Sequence, residues 1–172
     1  MNFSILAIIR DLLAPQHEVS CSWLLWQKLL KDLRMRGRGR SRESGAFLLG
    51  YRYAGRIRIV DFVLYDDLDP NCLETGIVRF DGRYFGALWK ICKDRKLSVV
   101  ADIHVHPGSS QQSESDRQNP MISSAGHIAF IIPRFVNPPV RISQLGIYRY
   151  QGGKRWLSVP EHQRLSFLHI GL

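Results

Sequence analysis

The sequence predicts an α+β fold of mixed α/β type, and three observations predict it. Apolar residues recur at helical spacing in two segments, several β-rich runs alternate with period two, and glycine or proline turns separate them. The 172 residues are 45% hydrophobic and 23% charged, an ordinary globular composition with length enough for one proper core.

The opening MNFSILAIIRDLLAP is apolar, but it lacks a basic leading region, and Arg10 and Asp11 interrupt it before bilayer-spanning length. Neither a signal peptide nor a membrane span is expected over residues 1–19, only a short amphipathic element that packs on the domain or a partner. Trp26, Leu29, Leu30 and Leu33 then recur at i, i+3, i+4, i+7 behind the candidate cap Ser22, which predicts a helix over about 21–35. Arg34, Arg36, Arg38, Arg40 and Arg42, interleaved with Gly37, Gly39 and Ser41, read as a solvated loop that ends it.

GAFLLGYRY (45–53) and RIRIVDFVLY (56–65) read as a hairpin around Ala54 and Gly55, followed by a loop over 66–75. A second helix is predicted after Asp81, with Phe85, Leu88, Trp89 and Cys92 on one face and a basic turn at Lys93–Lys96. LSVVADIHVH (97–106) is the next strand. A Gly/Ser/Gln loop, a helical start at SESD and strand-like runs near 126–132, 143–150 and 155–159 complete the pattern, and residues 160–172 read as a tail.

The net charge of +9 raises nucleic acid or an anionic surface as partner. Much of the excess sits in the one arginine-rich segment, and no nucleic-acid motif or stacking-aromatic pattern accompanies it. Neither nucleic acid nor membrane is therefore expected to bind. Cys21, Cys72 and Cys92 are odd in number and lack CxxC spacing, which points to a reducing, cytoplasmic setting.

The chemistry concentrates in the strand over 97–106. Alternation puts Val99, Ala101, Ile103 and Val105 on one apolar face and Asp102, His104 and His106 on the other. Two imidazoles at i, i+2 can chelate one metal, and His with carboxylate ligands suit Zn²⁺. The third ligand must come from the chain after Pro107 and Gly108, where Glu114 and Asp116 are both candidates. Ser113 and Asp116 also have the S-x-x-D form of a helix start.

His104-Val105-His106-Pro107, five residues, then Ser113, two residues and Asp116, resemble the H-x-H-P...S-x-x-D signature of the JAMM peptidases. Glu43-Ser44-Gly45-Ala46-Phe47-Leu48-Leu49-Gly50 is similar to that family's upstream glutamate and apolar strand. The order of elements over 20–159 follows the family's layout; one residue fewer separates Pro107 from Ser113 than the family pattern has. The resemblance implies the MPN/JAB fold, a central curved mixed β-sheet flanked by helices and similar to cytidine deaminases. It further implies Zn²⁺ held by His104, His106 and Asp116, Glu43 as general base, and Ser113 sharing stabilisation of the oxyanion. Members cleave the bond after the C-terminal tail of ubiquitin or ubiquitin-like proteins, so the implied substrate is such a conjugate, its tail lying along a sheet edge beside the metal. Compact forms of this kind resemble prokaryotic members, some encoded with E1-like and E2-like enzymes in antiphage operons, which makes those enzymes the implied partners.

Amidohydrolase-type metal hydrolases also place H-x-H on a strand, but their (β/α)₈ barrels take about 250 residues. A non-catalytic MPN scaffold would lack metal ligands, and all of them are present here. A RadC-like, DNA-associated relative of the same fold is the remaining alternative, favoured by charge alone. Oligomeric state is not legible, and His17, His127, His162 and His169 read as ordinary structural or surface histidines.

Overall fold

The computed structural model describes residues 17–38 and 41–171, so most of the segment expected over 1–19 lies outside the described residues, as does Arg40 of the basic run. The described chain begins with β1 (Val19–Ser22), a four-residue strand that no sequence pattern announced. Ser22 then caps α1 (Trp23–Arg36), its hydroxyl accepting from the Leu25 N–H. Trp26, Leu29, Leu30 and Leu33 are the buried stripe of α1, each contributing about 1.5–3 kcal/mol by burial.

Strands β2 (Gly45–Tyr53) and β3 (Arg56–Leu64) form the expected antiparallel hairpin. Ala54 and Gly55 both take positive φ, 49° and 78°, as a two-residue hairpin turn matched to strand twist requires. The predicted loop after β3 begins with one helical turn, α2 (Tyr65–Leu68). Asp81 caps a 3₁₀ turn (Gly82–Tyr84) that leads into α3 (Phe85–Arg95). Leu88 and Cys92 of α3 are buried, whereas Trp89 is 48% exposed and stacks on Phe85 instead of joining the core.

The histidine strand is β4 (Ser98–Val105), followed by α4 (Glu114–Gln118), β5 (Ile128–Ile132), β6 (Gly146–Gly152) and β7 (Arg155–Ser158). Residues expected as a tail fold as α5 (Glu161–Phe167) and β8 (Leu168–Gly171), which pairs in parallel with β1. Among the described residues the fold is thus α+β, an eight-stranded mixed sheet in the order β7-β6-β5-β4-β2-β3-β1-β8. Helix α1 packs on one face over a core that includes Leu48, Ile59, Ile103 and Phe130; α3 packs on the other over Phe47, Leu49, Val63 and Tyr65.

Two bulges depart from strict alternation. The β2–β4 register skips Val100, and the β2–β3 register skips Val60. Val100 and Ala101 therefore both enter the α1-side core, and Val99 packs with the α3-side core, not with Ala101 as alternation predicts. From Ala101 onward the predicted phase holds.

The first part of the basic run, Arg34 and Arg36, is helix and not solvated loop, and the turn begins at Gly37. Arginine is a good helix former, and α1 continues through Arg34 and Arg36 to Gly37. Arg34 donates from Nε and Nη2 to the Val136 carbonyl at 3.2 and 2.9 Å, Arg36 bridges Asp66 and Asp67 at 2.7 Å each, and Arg42 donates to the Arg36 carbonyl. Among the described residues no helix is long and apolar enough to cross a membrane.

Candidate metal centre

Strand β4 is paired on both sides, antiparallel to β2 and parallel to β5, so the backbone fixes where His104 stands. Gly45 lies directly across from it, and a Cβ there would run into the Tyr65 ring. His106 follows the strand's last residue and donates its N–H to the Ile132 carbonyl at 2.9 Å. A left-handed turn at Arg134, Phe135 and Val136 (φ 56°, 50° and 57°) then secures the loop after it. The Arg134 N–H donates to Gly108 O and the Phe135 N–H to His106 O. Non-glycine residues in this region cost about 1–2 kcal/mol each; Arg34, holding the Val136 carbonyl, helps to keep them there.

The third member arrives on α4. Ser113 and Asp116 make a reciprocal capping box: the Ser113 Oγ accepts from the Asp116 N–H at 3.1 Å, and the Asp116 Oδ2 accepts from the Ser113 N–H at 2.6 Å. The box turns the Asp116 carboxylate toward β4. Glu114, the other candidate, points away and binds Arg117 and Gln118.

His104 Nε2 and His106 Nε2 are 3.0 Å apart, and they lie 3.3 Å from Asp116 Oδ1 and 3.2 Å from Asp116 Oδ2 respectively. A tetrahedral zinc with bonds of about 2.0–2.2 Å sets its ligand atoms about 3.3–3.6 Å apart, so the three residues fit such an ion within a few tenths of an ångström. The donor set also fits: two imidazoles and one carboxylate leave a fourth position open. Among the described residues this is the one group of three metal-ligating side chains that converges in this way.

Electrostatics tie the group together. Burial works to raise the Asp116 carboxyl, yet hydrogen bonds from His104 and His106 hold it well below its usual range. Burial likewise works to lower His104, and its hydrogen bond to Asp116, with the charges of Asp116, Asp102 and Glu43, carries it upward instead. Glu43 is thus close enough to be felt at His104. Its Oε2 accepts from the Val78 N–H at 3.2 Å, and its own N–H donates to Gly76 O, which anchors it to the loop after α2.

Behind His104 lies an arrangement that the sequence did not reveal. Asp102 is 2% exposed; its Oδ1 contacts His127 Nε2 at 2.6 Å and its Oδ2 accepts from the Tyr65 hydroxyl at 3.1 Å. The same Oδ2 is 4.0 Å from His104 Nδ1, the ring nitrogen opposite the one facing Asp116. Asp102 and its two holders therefore back the histidine, as carboxylates commonly back metal-bound imidazoles. His127 is a buried structural histidine, and its partner Asp102 lies 25 positions earlier, beyond the reach of any local spacing.

Sheet edges among the described residues are β7 and β8, so no edge runs beside β4 to receive an extended tail. A cleft of about 310 Å³ does open on the flank of α4, lined by Gln111, Gln112, Arg117, Tyr148, Lys154 and Trp156.

Comparison with known proteins adds to this geometry. No family model matches the chain. Over 66 residues, 38% of the chain, it is 29% identical to the probable metalloprotease y4jG of Sinorhizobium fredii. That match is distant. It spans 41% of the relative's length. The solution structure of protein DSY2949 from Desulfitobacterium hafniense shares the fold, with a TM-score of 0.61 over 83% of this chain and 90% of that one at 14% identity.

Proposed function

We propose that this chain is a zinc-dependent metallopeptidase of the JAMM type that hydrolyses the bond after the C-terminal tail of a ubiquitin-like protein. The observation that carries the reading is the convergence of His104, His106 and Asp116, whose ligand atoms all lie within 4.8 Å of one another. The metalloprotease name of the y4jG relative supports the reaction class, and the resemblance of the Glu43, His104, His106, Ser113 and Asp116 pattern supports the substrate class.

When bound, zinc supplies Lewis-acid polarisation of the scissile carbonyl and makes a water acidic enough to lose its proton near neutral pH. The chain's own residues do the rest. Glu43, held from behind by the Val78 N–H, takes the proton from the attacking water and delivers it to the departing amine. The Ser113 hydroxyl accepts from the Asp116 N–H and keeps its own proton to donate toward the oxyanion. Asp102, His127 and Tyr65 keep the His104 ring oriented. None of the three buried cysteines is needed as a nucleophile. By the same resemblance the setting is cytoplasmic, with E1-like and E2-like enzymes of a bacterial conjugation or antiphage system as partners.

The test is cleavage of ubiquitin-like fusions with zinc content measured in parallel. His104→Ala is expected to lose both the metal and the cleavage, and a His104→Ala chain that still cleaves would sink the proposal.

A further inference from the structure

The cleft on the flank of α4 is walled by three pieces of chain that are pinned to one another. Tyr148 of β6 donates its hydroxyl to Ser110 O at 2.9 Å, which seats the loop before Ser113 on the sheet. A Cβ on Gly146 would meet the same carbonyl at 2.0 Å, so the loop lies as close as a glycine allows. Trp156 of β7 donates its Nε1–H to Arg117 O at 3.2 Å and ties the end of α4 to the edge strand. Between β6 and β7, the Lys154 N–H donates to the Tyr150 hydroxyl at 3.1 Å, which holds the lysine backbone at the rim. The space enclosed, about 310 Å³, is at the small end for ligand pockets and suits one or two residues of a peptide. Gln112 lines it and is 9% exposed, yet its carboxamide makes no hydrogen bond with a described residue. Among the described residues no fully enclosed side-chain nitrogen or oxygen lacks a partner, so this carboxamide keeps its polar atoms at a surface, and the cleft is the surface it lines.

Resting on the metallopeptidase reading, we infer that this cleft is the subsite for an acidic side chain of the substrate close to the scissile bond, held by the Lys154 ammonium and the Gln112 carboxamide. Two cations, Lys154 and Arg117, line the cleft and no carboxylate does. Glu114 pairs with Arg117 at 2.6 Å, which leaves Lys154, without an ion pair among the described residues, as the cation free to bind. The charges felt at Tyr148, on the cleft wall, are those of Arg164 and Arg117 against Asp116, and Asp116 is turned to His104 and His106. A carboxylate only accepts hydrogen bonds, and the ammonium and the amide nitrogen supply donors for it. A basic side chain in the same place would meet like charge. Chain position sets which part of the substrate is read: Gln112 immediately precedes Ser113, the proposed oxyanion donor, and Arg117 immediately follows Asp116. A side chain in the cleft therefore belongs to a residue a few positions from the bond, at about 3.3 Å per extended residue. With no sheet edge beside β4, the pinned walls of the cleft supply the fixed surface that an edge strand would otherwise provide.

The experiment has two arms, both on the zinc-loaded full chain. In the first, fluorescence anisotropy follows binding of labelled, end-capped Gly/Ser peptides that carry Glu-Glu, Gln-Gln or Lys-Lys at their centre. The Glu-Glu peptide is expected to bind about fivefold or more tighter than the Lys-Lys peptide. Lys154→Glu should reverse that order, and Gln112→Met, which keeps the volume but removes the amide, should weaken Glu-Glu binding about threefold or more. Lys154 is exposed, so zinc content and melting temperature of Lys154→Glu should be those of the parent. In the second arm, ubiquitin-like fusions carry Glu, Gln or Lys at each position flanking the scissile bond; at one of them kcat/KM should favour Glu over Lys about fivefold or more, and Lys154→Glu should reverse the preference. Equal binding of the three peptides, or a preference for Glu that Lys154→Glu leaves intact, would overturn the inference. Selective peptide binding by a parent chain that cleaves no fusion would contradict the peptidase reading while the acidic-peptide site stands, and cleavage indifferent to charge at every position would do the reverse.

Discussion

Replacing Asp102 with Asn keeps the volume of a buried side chain and removes its charge, which separates orientation of His104 from simple packing. Two unit charges at the 4.0 Å separating Asp102 Oδ2 from His104 Nδ1 interact by about 4 kcal/mol at an effective dielectric of 20, a ceiling for what the charge can contribute. Carboxylates that back metal-bound histidines typically alter metal affinity 10- to 100-fold when removed, or about 1.4–2.8 kcal/mol, which lies within that ceiling. Asp102→Asn is therefore expected to weaken zinc binding about 10- to 100-fold, measured by competition with a chromophoric chelator. The lost charge-assisted contacts with His127 and Tyr65 should also lower the melting temperature of the metal-free chain. A zinc affinity within about twofold of the parent, alongside a lower melting temperature, would show that Asp102 only packs, and the orientation argument would be refuted.

Arg34→Ala leaves the buried Val136 carbonyl without its donors at a cost of about 1–3 kcal/mol, read as a fall of roughly 3–9 °C in melting temperature. Ser113→Ala removes the α4 cap and the proposed oxyanion donor together; cleavage should fall about 10²- to 10³-fold in steady-state assays, with helix stability lower by about 1 kcal/mol. Burial pushes the Cys21 thiol up to about 11 and the Cys72 thiol up to about 12, so neither should alkylate at pH 8 in the folded chain, and both should after denaturation. Because the folded state holds these protons longer than the unfolded one, whose thiols titrate near 9, their contribution to stability is present below pH 9 and fades as pH rises toward 11 to 12, a loss that denaturant titrations across that range would show.

Legibility in the sequence followed the range of the interactions involved. His104 and His106 share a face because period two operates within five residues, and Ser22, Ala54 and Gly55 act within one turn. The phase of Val99 was lost to a bulge at Val100, set by pairing with β2 and not by local pattern. Strands β1 and β8 are four residues each, too short for alternation to register, and they are held by long-range pairing, β1 with β3 and β8 with β1. Asp116 was separated from Glu114 in the structure by its capping box, whereas residue types alone left both open. Arg34 and Arg36 were misjudged for one reason: their partners Val136, Asp66 and Asp67 are 30 or more residues away. The tyrosines of the hairpin were read as part of a β-rich run, and the structure shows Tyr51 and Tyr53 exposed.

The central claim, that Glu43 works beside a metal held by His104, His106 and Asp116, is tested most directly by one paired measurement on Glu43→Gln: zinc per chain, and cleavage of a ubiquitin-like fusion. The substitution removes the proposed base and leaves all three proposed ligands. Zinc at the parent stoichiometry with cleavage abolished is the predicted result; a Glu43→Gln chain that cleaves at the parent rate would contradict the account.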